Sequence, residues 1–175
     1  MVKEKKGKKT STGPKLQKAT TQSLEERLLS KSDNWYYEKI TAEEKKAVYD
    51  YTIHNYTKDE KQAQEIADLE SALAKYELDE DIVTYRGVSS TEFVNAMLDG
   101  SGKTDFKSTS INKAQAEKFA VNQGGWVIEY HIKKGKHGAY LDSVPMHKEK
   151  EYLINKGQNF KVIERKDKTL IVEIG

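Results

Sequence analysis

The 175-residue chain contains no cysteine, which removes disulfides, thiolate nucleophiles and zinc–thiolate sites together. That absence does not by itself fix a compartment. No apolar stretch approaches the roughly 20 residues that span a bilayer, so stable membrane insertion is not expected. The N-terminal lysines are not followed by an apolar segment, so no secretory signal is visible. The chain is then expected to stay inside, to leave by a route needing no such signal, or to have lost one. There is no P-loop and no G-x-G-x-x-G, and Gly135-Lys136-His137-Gly138 reads as a turn. The four histidines, His54, His131, His137 and His147, show no metal spacing and read as structural or solvated. Phenylalanine is scarce, four against ten tyrosines, which suggests aromatic residues with polar tips at pocket rims and half-buried positions. No internal repeat is found.

What is present is mostly charge, a third of all residues, unevenly placed. Residues 1–18 hold seven lysines and one acid, Glu4, a net of +6; against +2 overall, the remainder carries about −4. A body of that sign argues against a nucleic-acid partner. Residues 1–22 read as a basic, flexible arm and 23–175 as one domain. Ser23 with Glu26, and Thr41 with Glu44, have the spacing of capping boxes that open helices. Trp35, Tyr36 and Tyr37 form an aromatic knot expected to pack on the body. A third helix is predicted from Asp59 to Tyr76. The second half reads as strands at 82–86, 106–110, 126–132, 150–155, 160–165 and 169–174, the last two forming a hairpin through Lys166-Asp167-Lys168. Short helices run from Ser90 to Leu98, capped by Ser90 or Thr91, and from Asn112 as cap to Val121. Helices first and strands later make an α+β fold.

Three groups carry chemistry. Arg86 ends a strand before Gly87, and its guanidinium could grip a pyrophosphate with two bonds. Equally, it could be a surface arginine paired with Asp79, Glu80 or Asp81. Ser108 and Ser110 share one side of a strand, with Thr109 on the other; a buried serine could hold a carboxylate or a ribose hydroxyl, or these could be ordinary strand residues. Glu149 and Glu151 could divide duties, one ionised beside a forming cation and the other orienting a nucleophile, or they could be a charged turn flanked by Lys148 and Lys150. Phe119, on the helix after Ser110, reads as core by default.

In order, Tyr85-Arg86-Gly87, Lys107-Ser108-Thr109-Ser110 and Glu149-Lys150-Glu151 resemble the arginine, S-T-S and E-x-E motifs of the R-S-E class of mono-ADP-ribosyltransferases, the bacterial exoenzyme group of C3-like and actin-modifying toxins. Tyr51-Thr52 with Tyr56 resembles that family's helical segment, and Gly138–Leu141 the approach to its catalytic loop; the likeness spans about residues 41–175. The resemblance implies a helical N-terminal part and two small packed β-sheets around an NAD cleft, with no metal. It implies that Arg86 binds NAD phosphate, Ser108 orients Glu151, Phe119 stacks near the nicotinamide and Tyr51 lies against the nicotinamide mononucleotide half. Gly87 follows Arg86 in the same contact. Glu151 would stabilise the oxocarbenium ion as nicotinamide leaves, and Glu149 would assist an arginine acceptor on a target protein, actin among the candidates. It further implies a toxin or effector, secreted or delivered into a target-cell cytosol, with a separate delivery partner as one route. NAD glycohydrolase and silent adaptor of the same fold are the competing readings. The chain departs from the pattern at Glu60, at Gly87 (where some relatives carry a second basic residue) and at Pro145-Met146-His147 in the loop before Glu149.

Overall fold

The computed structural model describes residues 23–53, 63–145 and 147–175. The basic arm, His54, Tyr56, the predicted helix start at Asp59, Glu60 and Met146 lie outside the described residues, and so does the side chain of Ser23. Helix α1 (Ser23–Asn34) runs on into a π-helical turn, Trp35–Lys39, and is followed by α2 (Ala42–Ile53) and α3 (Ala63–Ala74). Then come β1 (Ile82–Val88), α4 (Ser90–Asp99), β2 (Ser101–Lys103), β3 (Lys107–Ser110) and α5 (Lys113–Val121). The chain ends in β4 (Trp126–Ile132), β5 (Gly138–Tyr140), β6 (Glu151–Ile154), β7 (Asn159–Lys166) and β8 (Thr169–Ile174).

Local chemistry explains most of these boundaries. Thr41 and Glu44 form a full capping box: the Glu44 amide donates to Thr41 Oγ1 at 3.1 Å, and the Thr41 amide donates to Glu44 Oε1 at 2.8 Å. Lys75 donates to the same Oε1, tying α2 to the end of α3. Asn112 caps α5 as expected, accepting from the Ala114 amide at 3.0 Å. The cap of α4 falls one residue earlier than predicted. Ser89, in an extended conformation, accepts from the Glu92 amide, so Ser90 is already helical. In the aromatic knot Trp35 and Tyr36 are buried, and Trp35 Nε1 donates to the Ala72 carbonyl at 2.7 Å, but Tyr37 is exposed.

The strands form one hydrogen-bonded order, β2-β7-β8-β4-β1-β3-β6-β5. Among the described residues only β4 and β8 pair in parallel. The two sheets implied by the resemblance are joined here by a narrow junction, since β1 meets β3 at the single register pair Tyr85↔Ser110. Five strands lie on one side of that junction and three on the other. The cleft described below opens beside it. Two strands escaped the sequence reading: β2, three exposed residues against β7, and β5, three buried residues against β6. The tyrosines also differ from expectation. Tyr76, Tyr140 and Tyr152 are fully buried centres of the core, where burial pushes their phenols well above the ordinary range. Two have partners for the hydroxyl: Tyr76 donates to the Leu28 carbonyl and Tyr140 to Asp142 Oδ2, each at 3.1 Å.

Candidate active site

Arg86 lies on β1, next to the junction, and three of its five N–H groups are engaged. Nε and Nη2 donate to the Glu92 carboxylate at 2.8 and 3.1 Å, and Nη1 donates to the Ser108 carbonyl at 3.0 Å. Its partner is therefore Glu92 on α4. The three acids proposed from sequence are occupied elsewhere: Asp79 with Lys31, Glu80 with Arg27, and Asp81 with Lys133 and the Lys134 amide. Burial pushes the Glu92 carboxyl up, but the Arg86 hydrogen bonds and charge, with Lys107 Nζ 3.6 Å away, outweigh it and hold the group below its ordinary value. The same pairing keeps Arg86 cationic despite its burial.

Ser108, on β3, donates from Oγ to Glu151 Oε2 at 2.6 Å. Strand register places Ser110, not Ser108, opposite Glu151, so this bond runs diagonally across the β3–β6 ladder. Ser110 Oγ instead donates to the Lys150 carbonyl and accepts from the Asn112 amide, while Thr109 donates to the Tyr152 carbonyl. The serines and threonine thus fix the start of β6, where Glu151 stands.

The loop between β5 and β6 is held from within by Asp142, a buried carboxylate. Its Oδ1 accepts from the Lys150 amide at 2.9 Å and its Oδ2 from the Tyr140 hydroxyl, while Lys148 Nζ donates to its carbonyl. Lys150 adopts φ +53°, an uncommon left-handed conformation for a residue with a side chain. That turn brings Glu149, exposed, and Glu151, buried, to one cleft of about 180 Å³. Arg86, Gly87, Ser108 and Phe119 line the same cleft, as does Gln115, which the sequence reading missed. Phe119 is 61 % exposed on its rim, a position that the default of a core residue does not describe. Tyr51, on α2, is half-buried within electrostatic reach of Arg86 and Glu151, and burial with the Glu151 charge raises its phenol to about 12.

His147 is a second residue whose place was not foreseen. It lies four before Glu151, and its Nε2 sits 2.8 Å from Glu151 Oε1. The contact does not meet hydrogen-bond geometry and is an ion pair when the ring is protonated. Glu151 raises the imidazole above its ordinary pKa, against burial and with help from Glu149 and Asp142. The spacing His147-x-Glu149-x-Glu151 was the available signal.

Gly87 serves packing. A Cβ there would stand 2.3 Å from the Ala116 carbonyl oxygen and 2.8 Å from the Ala120 nitrogen, both backbone of α5. Gly87→Ala should therefore push α5 off β1, costing about 1–3 kcal/mol. It should also carry Gln115 and Phe119 away from the cleft. Thermal unfolding should show a fall of about 2–4 °C per kcal/mol; an unchanged melting temperature would mean that α5 yields freely.

Comparison with known proteins identifies the family and the fold. The sequence model of the ADP-ribosyltransferase exoenzyme family matches residues 18–173. NAD(+)--arginine ADP-ribosyltransferase EFV of Enterococcus faecalis is 43% identical over 102 residues, which is 55% of this chain and 21% of that protein, so the match spans about a fifth of the relative's length. Among solved structures, Plx2a, an ADP-ribosyltransferase toxin from Paenibacillus larvae, superposes with a TM-score of 0.62 at 17% identity, covering 86% of this chain and 96% of the toxin. The ADP-ribosylating toxin BECa of a C. perfringens binary enterotoxin, solved with NADH, gives 0.60 at 21% identity, covering 85% of this chain and 46% of that one. At those identities the structures speak for the α+β fold alone, while the family match covers nearly the whole chain. This chain belongs to the ADP-ribosyltransferase exoenzyme family.

Proposed function

We propose that this chain transfers ADP-ribose from NAD to an arginine side chain of a target protein, releasing nicotinamide. The observation that carries the reading is the meeting, in one cleft, of a guanidinium, a hydroxyl-held carboxylate and a second, exposed carboxylate. The EFV relative's name supports arginine as the acceptor.

Arg86 has the charge and planar fork to bind the pyrophosphate. Because Glu92 and Ser108 already fix its orientation, little side-chain entropy is lost when phosphate arrives. The 180 Å³ cleft is smaller than the usual pocket for a ligand of this class. A neighbouring cleft of about 400 Å³, lined by Glu92, Asn95, Lys103 and Lys107 among others, extends the space beyond the Arg86–Glu92 pair. The nicotinamide end then lies toward Glu151 and Phe119, and the adenosine end toward the larger cleft.

In the reaction the bond between ribose C1′ and the nicotinamide nitrogen breaks, its electron pair leaving with nicotinamide. Positive charge develops on the ribose. Glu151, held by Ser108, offers an ionised oxygen to the 2′-hydroxyl and to that charge, an interaction strongest in the transition state and in a cleft that excludes water. A guanidine nitrogen of the target attacks C1′ and loses a proton, which Glu149, exposed at the cleft, accepts in this reading. Among the described residues no helix is long and apolar enough to cross a membrane. In this reading the protein acts as a toxin or effector in a target-cell cytosol, with actin as one candidate target.

Labelled NAD with agmatine and a cell lysate tests the reading. Label on agmatine and on protein is the expected outcome; free ADP-ribose alone would make the chain a glycohydrolase, and no turnover a silent member of the fold.

A further inference from the structure

We propose that His147, Glu149 and Glu151 form a binding site for a divalent cation of the zinc class, and that a cation held there blocks the reaction. The blocking half rests on the proposed function; the binding half does not.

One ligand-type atom from each residue lies within 4.8 Å of the others. Bonds of about 2.0–2.2 Å to such a cation put neighbouring donors about 3.3–3.5 Å apart, so the cluster needs adjustment on the order of 1 Å. Glu149, exposed, is free to supply much of it. Glu151 has divided its oxygens: Oε2 accepts from Ser108, and Oε1 faces His147. The independent observation is His147 itself. It is 9 % exposed, and its Nε2 lies 2.8 Å from Glu151 Oε1 without meeting hydrogen-bond geometry. A buried nitrogen and a carboxylate oxygen that close, without an aligned N–H between them, are spaced to share a cation.

The surrounding field favours positive charge. Two carboxylates, Glu149 and Glu151, stand within 4.8 Å of the imidazole. The two neighbouring lysines are drawn away, Lys148 to the Asp142 carbonyl and Lys150 to within 3.5 Å of Glu25. One imidazole nitrogen with two carboxylates suits zinc or nickel and leaves a fourth position for water; magnesium and calcium prefer oxygen alone. With Glu151 Oε1 and Glu149 bound to metal, neither remains for the ribose or the acceptor.

Calorimetric titration of the full chain with zinc chloride, and in parallel with magnesium chloride, tests the site. One zinc per chain is expected, with no magnesium heat, and binding weakened about tenfold or more in both His147→Gln and Glu149→Gln. Because Glu149 is exposed, its variant keeps the test decisive if His147→Gln fails to fold. Zinc should inhibit NAD hydrolysis by the wild type, and His147→Gln should relieve that inhibition. No zinc heat up to millimolar concentration, or equal affinity in wild type and both variants, overturns the site. Zinc bound without inhibition overturns the blocking half. Absence of hydrolysis before any zinc is added would instead count against the proposed function and leave the calorimetric result standing.

Discussion

Glu151→Gln is expected to abolish both NAD hydrolysis and ADP-ribose transfer, lowering each roughly 100- to 1,000-fold, the scale of losing one preorganised transition-state contact. The substitution keeps shape, and the amide oxygen can still accept from Ser108, so the start of β6 should hold. What disappears is the carboxylate that the proposed mechanism sets beside the breaking glycosidic bond. Glu149→Gln should behave differently. Its side chain is exposed where it lines the cleft, and in the proposed mechanism it serves the acceptor and not the departure of nicotinamide. Transfer to agmatine should fall roughly 100-fold or more, the usual worth of general-base help, while nicotinamide release into water stays within a few-fold of wild type. Measuring nicotinamide release and labelled agmatine in the same reactions separates the two. Equal loss of hydrolysis in both variants would show that the carboxylates do not divide the work.

The order of helices and strands was legible because short-range chemistry marks it. The Thr41–Glu44 box, the Asn112 cap, the alternation of β4 and the turn at Asp167 each act within a few residues. Features set by distant partners were not legible. Strand β5 is three residues long and exists because β6 pairs with it. Arg86 chooses Glu92 over acids at a similar separation along the chain because α4 folds back over β1, whereas Asp79, Glu80 and Asp81 face α1 and the Lys133–Lys134 turn. The ordered motifs pointed to Arg86, Ser108, Glu149 and Glu151, which do line one cleft, but spacing alone gave no sign that Ser108 reaches Glu151 diagonally. His147 was read as structural or solvated because its contact with Glu151 at four residues' distance is a helical spacing realised outside any helix, through the left-handed turn at Lys150.

Arg86→Lys should raise the NAD concentration needed for half-maximal hydrolysis by roughly 10- to 100-fold, the worth of one or two charge-assisted hydrogen bonds, with a smaller effect on the maximal rate. Lysine keeps the charge but cannot bond Glu92 twice, the Ser108 carbonyl once and a phosphate together. Arg86→Ala removes the charge too and leaves Glu92 with Lys107 at 3.6 Å as its remaining cation. Both side chains of the pair are more than a quarter exposed, so the stability loss should be about 1–2 kcal/mol, below the figure for a fully buried pair. The pair also sets a pH dependence. The folded-state pKa of Glu92 is depressed, so its contribution is present above the unfolded carboxylate value and is lost as pH falls through the folded value. Acid unfolding of the wild type should therefore steepen below about pH 4, and Glu92→Gln should flatten that limb while lowering stability at pH 7. The cycle of Arg86→Ala, Glu92→Gln and the double variant isolates the coupling. If the two single losses add without remainder at pH 7, the Arg86–Glu92 fork contributes nothing to stability, and Glu92 serves only to aim the guanidinium.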